Sequence, residues 1–207
     1  MTAIDDARYM DLALALAQAQ QGRTAPNPAV GCVLVRDRRI IAVGATANGG
    51  RPHAERVALD AAGDQAAGAT AYVTLEPCAH HGQTPPCAEA LVQAGVARVV
   101  VACRDAFHKV AGRGLVILKA AGITVETGQR QADAAKLYDG FFHRLSTGWP
   151  KIEVDQRARL YDAELTADTS EAALTQIRAF AADGINRLRI APGHPLADRD
   201  WSALLDA

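Results

Sequence analysis

One imidazole and two thiols, His53, Cys78 and Cys87, are the residues best suited to chemistry in this chain. Together they offer Zn²⁺ three ligands and leave the fourth tetrahedral position open. That is the pattern of a catalytic zinc, whereas a structural zinc is closed by four protein ligands. Glu55 stands two residues after the histidine, near enough to serve the open position without ligating. If His53 opens a helix, residues 53 and 55 project about 200° apart around its axis. They can converge only in front of the first turn, where free N–H groups and the positive end of the dipole point. Cys87 follows Pro85-Pro86 and precedes Ala88-Glu89-Ala90-Leu91, so a second helix is expected to open there. A helix start lowers a thiol's pKa and favours the thiolate that zinc needs. A structural zinc, or two buried cysteines and a core histidine, are the plainer alternatives; neither gives Glu55 anything to do.

The elements that must position these residues follow from periodicity and breakers. Residues 5–21 repeat apolar side chains at helical spacing (Tyr9, Leu12, Ala13, Leu16, Ala17) and stop at Gly22. Thr24-Ala25-Pro26-Asn27-Pro28 cannot be helix interior, which places Asn27 in a rigid loop with its amide free to bind. Residues 30–35 and 40–43 predict a hairpin around Arg36-Asp37-Arg38-Arg39. After it, helices over 53–62, 85–94, 114–121 and 129–145 alternate with strands over 71–75, 98–103 and 123–126. This short-spaced alternation predicts an α/β fold, a sheet with helices on both faces. The metal set then lies where strands end and helices begin, the usual crevice for ligands in such sheets.

Composition excludes several classes. The 207 residues are 49% hydrophobic with a net charge of −1 and no basic block, which argues against nucleic acid held through its phosphates. No membrane partner is expected: Asp5, Asp6, Arg8 and Asp11 interrupt the N-terminal apolar residues, which therefore do not form a signal peptide, and no run reaches spanning length. Four cysteines, two of them claimed by a metal, suit a reducing cytoplasm better than a disulfide framework. Cys32 and Cys103 lie in apolar strand-like runs and are expected to be packing residues.

A His-x-Glu followed by Pro-Cys is the order found in zinc deaminases, which pair a His/Cys/Cys zinc and an activated water with a proton-shuttling glutamate. Here eight residues, Ala79 to Pro86, separate the cysteines where Cys-x-x-Cys is usual. The chain also carries Thr24-x-Pro26-Asn27-Pro28-x-Val30-Gly31-Cys32, Pro52-His53-Ala54-Glu55, Thr74-Leu75-Glu76-Pro77-Cys78-x-His80-x-Gly82-x-Thr84-Pro85-Pro86-Cys87 and Val110-Ala111-Gly112-x-Gly114. On these motifs it resembles the deaminase domain of the bifunctional riboflavin-biosynthesis deaminase/reductase, over residues 5–147. The resemblance implies a cytidine deaminase-like three-layer α/β/α sandwich around a central mixed sheet. It implies hydrolytic deamination of a diaminopyrimidinone bearing a phosphorylated ribosylamino group. By the same resemblance His53, Cys78 and Cys87 bind zinc, Glu55 shuttles the proton, Asn27 bonds the pyrimidine and His80 stands in the pocket wall. A homodimer or larger homo-oligomer is expected from the family.

Three departures fall on the sugar and phosphate side. Thr46 stands where the family has a histidine, Gln83 where it has Lys or Arg, and Asp105-Ala106-Phe107-His108 where it has Asp-Pro-Asn-Pro. Unmade polar contacts to a buried ligand cost about 1–3 kcal/mol each. Arg51, His108 and Lys109 are candidates to compensate, against the plainer reading of solvated charges. These departures leave open a specialised pathway, such as toxoflavin-type synthesis, or a deaminase of another heterocycle or free base. A non-catalytic zinc-containing subunit is the alternative of another class, against which the intact His53, Glu55, Cys78 and Cys87 stand.

Residues 148–207 change character. They offer a strand over 151–154, a helix over 170–182, an apolar stretch near 188–190 and a weak terminal helix, too little apolar mass to fold alone. Ala182-Asp183-Gly184-Ile185-Asn186 and the run Leu188 to Pro192 resemble a late reductase segment. Residues 1–147 therefore read as a deaminase domain and 148–207 as a shrunken reductase remnant, or an unrelated extension. No glycine-rich dinucleotide fingerprint occurs there.

Overall fold

The computed structural model describes residues 3–81, 85–104 and 112–205. Gln83, Asp105, Phe107, His108 and Lys109 lie outside the described residues. By backbone proximity the chain forms two compact units, Met1–Gln20, Ala29–Ala47 and Arg51–Leu137 in one, Gln21–Pro28, Asn48–Gly50 and Tyr138–Ala207 in the other.

In the first unit α1 (Ala3–Ala19) leads into the hairpin β1 (Gly31–Arg36) and β2 (Arg39–Ala45). The turn is two residues long, Asp37 and Arg38, both with positive φ (50° and 62°). That backbone matches the twist of the strands it joins. Then follow α2 (Ala54–Ala62), β3 (Thr70–Leu75), α3 (Cys87–Gln93), β4 (Arg98–Cys103), α4 (Arg113–Ala120), β5 (Thr124–Thr127) and α5 (Gln131–Thr147), whose residues from Tyr138 on are counted with the second unit. The strand order is β2-β1-β3-β4-β5, antiparallel through β2-β1-β3 and parallel through β3-β4-β5. This is the expected mixed sheet.

Two glycines fix its layers. Gly44 pairs with Cys32, next to Gly31 in β1, so Gly31 and Gly44 look to opposite faces. A Cβ at Gly31 would lie 1.9 Å from Ala13 O of α1, and one at Gly44 would lie 2.2 Å from Ala54 O of α2. Helices α1 and α2 therefore press on opposite faces of the hairpin. β3 is buried along its whole length, as is β4 beyond Arg98; central strands covered on both sides carry continuous apolar runs. Where ladder pairing stops, a side chain takes over: Thr74 Oγ1 accepts the Gly31 N–H at 2.9 Å. At the start of the parallel strands a buried Asp6 accepts two bonds from Arg98 (2.9 and 2.8 Å) and one from Tyr72 Oη (2.5 Å).

In the second unit β6 (Lys151–Val154), β7 (Ala163–Glu164) and β8 (Arg187–Ile190) make a parallel sheet ordered β6-β8-β7, with α6 (Ser170–Ala182) joining β7 to β8 and a short α7 (Ser202–Leu205) at the end. Thr169 caps α6 by accepting the Ala172 N–H. Leu188 and Ile190 face a core of Leu165, Ala173, Ile177 and Trp201. The two-residue β7 is too short to show in sequence periodicity.

Candidate zinc centre

His53 is the N-cap of α2, in extended backbone (φ −69°, ψ 157°), and its carbonyl accepts the Val57 N–H. Glu55 is thus in the first turn, and its residue is 3% exposed. Pro86 caps α3, and Cys87 is the first residue of that helix. Both metal residues expected at helix starts are there. Cys78 arrives from the end of β3 and uses the orphan donors of α3: the Cys87 N–H donates to Cys78 Sγ at 3.2 Å and the Ala88 N–H to Cys78 O at 3.1 Å.

His53 Nδ1 lies 3.7 Å from Cys78 Sγ and 3.4 Å from Cys87 Sγ, and the three ligand atoms are all within 4.8 Å of one another. Tetrahedral zinc with Zn–S of about 2.3 Å and Zn–N of about 2.0–2.1 Å sets N and S about 3.5 Å apart. The set therefore fits zinc. The hydrogen bond with the Cys87 side chain pulls the Cys78 thiol down to about 4, with His53 and the Cys87 N–H adding to it. The site itself thus favours charge on Cys78, whereas the hydrogen bond with Cys78, with burial, pushes the Cys87 thiol well up, against what its place at a helix start leads one to expect. Burial, with the Cys78 thiolate beside it, raises Glu55 to about 7, and its carboxyl is in hydrogen-bonding reach of the Cys87 side chain. A carboxyl that gains and loses a proton near neutrality suits a shuttle.

The remaining sequence candidates are differently placed. Thr46 is 1% exposed, and its hydroxyl accepts the Val30 N–H at 3.0 Å, tying the end of β2 to the start of β1. Arg51 is half-buried and precedes a cis-Pro52. His80 is exposed, two residues beyond Cys78. Asn27 belongs to the second unit, and its amide is not free: Nδ2 donates to Gly50 O at 2.8 Å. Along α4 runs a cavity of about 640 Å³ whose lining includes Ala79, Leu115, Val116 and three cations, Arg104, Arg113 and Lys119, but none of His53, Glu55, Cys78 and Cys87. Sequence reasoning missed these cations and also missed Glu76, a buried acid at the end of an apolar strand. Its position in such a run was the available signal.

The fold and the ligand set define a class. The cytidine and deoxycytidylate deaminase zinc-binding region matches residues 3–103. The cofactor is zinc, and His53, Cys78 and Cys87 form its candidate site. The solved structure of Acinetobacter baumannii RibD superposes with a TM-score of 0.71 at 46% identity, covering 86% of this chain and 51% of that one. Riboflavin biosynthesis protein RibD of Escherichia coli is 52% identical over 157 residues, 76% of this chain but 43% of that protein. This chain thus spans less than half of that longer relative. The diaminohydroxyphosphoribosylamino-pyrimidine deaminase of Buchnera aphidicola from Acyrthosiphon pisum is 45% identical over 147 residues, 71% of this chain and all of that protein. The chain belongs to the diaminohydroxyphosphoribosylamino-pyrimidine deaminase family.

Proposed function

We propose that the chain hydrolytically removes the 2-amino group of a diaminopyrimidinone carrying a phosphorylated ribosylamino group, releasing ammonia. The observation that carries this reading is the buried Glu55 beside a three-ligand set, its carboxyl in hydrogen-bonding reach of the Cys87 side chain. Zinc held there supplies a Lewis acid and a water acidified toward neutrality. Glu55 takes the proton of the attacking water and later delivers it to the departing nitrogen, acting first as base and then as acid. Asn27 orients the pyrimidine, its side chain pre-set by the bond to Gly50 O. Arg104, Arg113 and Lys119, which line the cavity along α4, are the candidates for contact with an anionic substrate group.

Residues 1–147 are taken as the deaminase domain and 148–207 as a reductase remnant. Four free cysteines support work in a reducing cytoplasm, and no helix among the described residues is long and apolar enough to cross a membrane. Exposed Ile40 and Val43 on the edge strand β2 support a homodimer or larger assembly; light scattering showing a monomer at micromolar concentration would count against it.

The test is ammonia release by the zinc-loaded chain from the diaminopyrimidine phosphate and from its dephosphorylated form. The proposal expects turnover of the phosphate ester and a lower kcat/KM for the other. Release from neither contradicts it, and preference for the dephosphorylated form moves the reading to a free nucleoside or base.

A further inference from the structure

Helix α4 begins without a cap of its own. Its N-cap is Gly112, left-handed at φ 83°, with no side chain to accept an N–H, and its first turn carries no acid. The missing acceptor comes from 36 residues away. Glu76 Oε2 accepts the Gly112 N–H at 3.1 Å, and Oε1 accepts the Gly114 N–H at 3.2 Å. The carboxylate also lies at the positive end of the helix dipole, which favours it. Glu76 is 8% exposed, so these bonds are made out of water, where an unmade one is costly.

The same contact bears on the metal residues. A Cβ at Gly114 would lie 2.1 Å from Pro77 O, so the first turn of α4 rests directly on the peptide that precedes Cys78. Glu76 N–H donates to Cys103 O at 2.9 Å, which fixes the turn to β4 as well. From the other side Cys78 is held by the Cys87 and Ala88 N–H groups. Residues 76–78 are therefore wedged between two helix starts, one that contributes Cys87 and one that is clamped by Glu76.

We infer that Glu76 is a positioning residue for the zinc centre: its carboxylate caps α4 from a distance and so holds Cys78 at the spacing zinc requires. The inference rests on the zinc set, and it stands whichever pyrimidine is deaminated. Glu76→Gln keeps size and burial but replaces one acceptor by an NH₂ group that must face an N–H. Partners one shell outside a metal's ligands typically alter metal affinity by about 10–100-fold.

The experiment is the rate of zinc transfer from the full chain to a chromogenic chelator, for wild type, Glu76→Gln, Glu76→Asp and Tyr72→Phe. Tyr72→Phe is the control: it removes the bond to Asp6 near the opposite end of β3 and lowers stability without touching the turn. The inference expects transfer about 10–100-fold faster for Glu76→Gln, an intermediate rate for Glu76→Asp, which keeps both acceptors on a shorter arm, and the wild-type rate for Tyr72→Phe. A wild-type rate for folded Glu76→Gln overturns it, as does equal acceleration in Tyr72→Phe, since either makes Glu76 a general stability residue. If Glu76→Gln fails to fold, Glu76→Asp decides on the same criterion; failure of both to fold also overturns it. A wild-type chain that holds no zinc refutes the zinc reading itself, a separate result.

Discussion

The two sheets of this molecule solve burial differently. In the five-stranded sheet β3 is covered on both faces, and so is β4 beyond Arg98; polar groups inside it are few and paired, such as Thr74 with Gly31. In the three-stranded sheet Leu188 and Ile190 point into an apolar core, while Arg187 and Arg189 alternate to the other side. There Arg187 pairs with Glu153 and lies over the Tyr161 ring, Arg189 pairs with Glu164, and Lys151 bridges Asp139 and Glu153. Parallel sheets are ordinarily apolar on both faces, so this one has replaced half of its cover with ion pairs. These side chains are partly buried, Arg187 at 17% and Glu153 at 29% exposure, so the cost of taking the charges out of water offsets much of their attraction. The pairs do, however, use up the side chains that could otherwise do chemistry. The first sheet ends instead at two helix starts that present an imidazole and a thiol for a metal, with a second thiol arriving from the end of β3. Among the described residues the one His/Cys/Asp/Glu group placed to hold a metal ion is His53, Cys78 and Cys87.

If that contrast is right, variants on the two sides should separate cleanly. The largest effect belongs to the Cys78→Ala/Cys87→Ala double variant, which should lose stoichiometric zinc by elemental analysis and all ammonia release. Zinc retained undiminished would break the contrast at its root. Next in size is Leu188→Ala, which opens a cavity in the second core and should cost about 2–5 kcal/mol. Both tryptophans, Trp149 and Trp201, lie in the second unit, so tryptophan fluorescence during urea unfolding reads this loss directly. Zinc content should not change. A smaller effect is expected from Asp6→Asn, about 1–3 kcal/mol for a buried hydrogen bond to a charged group.

The Asp6 prediction carries a sign with pH. The hydrogen bond from Arg98, opposed by burial and helped by Tyr72, holds the Asp6 carboxyl below its ordinary value. Its contribution is therefore complete above the unfolded value, near pH 4, and drains away as pH falls through the folded value. Wild type should lose its advantage over Asp6→Asn below about pH 4. An advantage that persisted undiminished at pH 2 would mean the carboxylate is not what stabilises the start of β3.

Much of this was legible in the sequence because the signals were local. Helix 170–182 and strands 98–103 and 151–154 are found where periodicity puts them, and the helix starts at His53 and Cys87 follow from proline and from ligand geometry. What was not legible depended on long-range contact. The cap on α4 comes from Glu76, and no spacing rule links residue 76 to residue 112. Thr46 reads as a pocket residue by resemblance, yet its hydroxyl is engaged with Val30. Asn27 reads as a free amide in a proline-stiffened loop, yet Gly50 O accepts from it. The core of Leu165, Ala173, Ile177, Leu188, Ile190 and Trp201 draws single residues from several short elements, which no periodicity in the sequence displays.

The central claim is that the chemistry belongs to Glu55 acting beside the zinc set, and Glu55→Gln tests it most directly. The substitution preserves shape and burial but cannot move a proton. Zinc content and ammonia release should be measured on the same preparation, with the diaminopyrimidine phosphate as substrate. The account predicts a full complement of zinc and a kcat lower by about 10²–10⁴, the usual yield of general acid–base catalysis. Near wild-type turnover with zinc in place would contradict it.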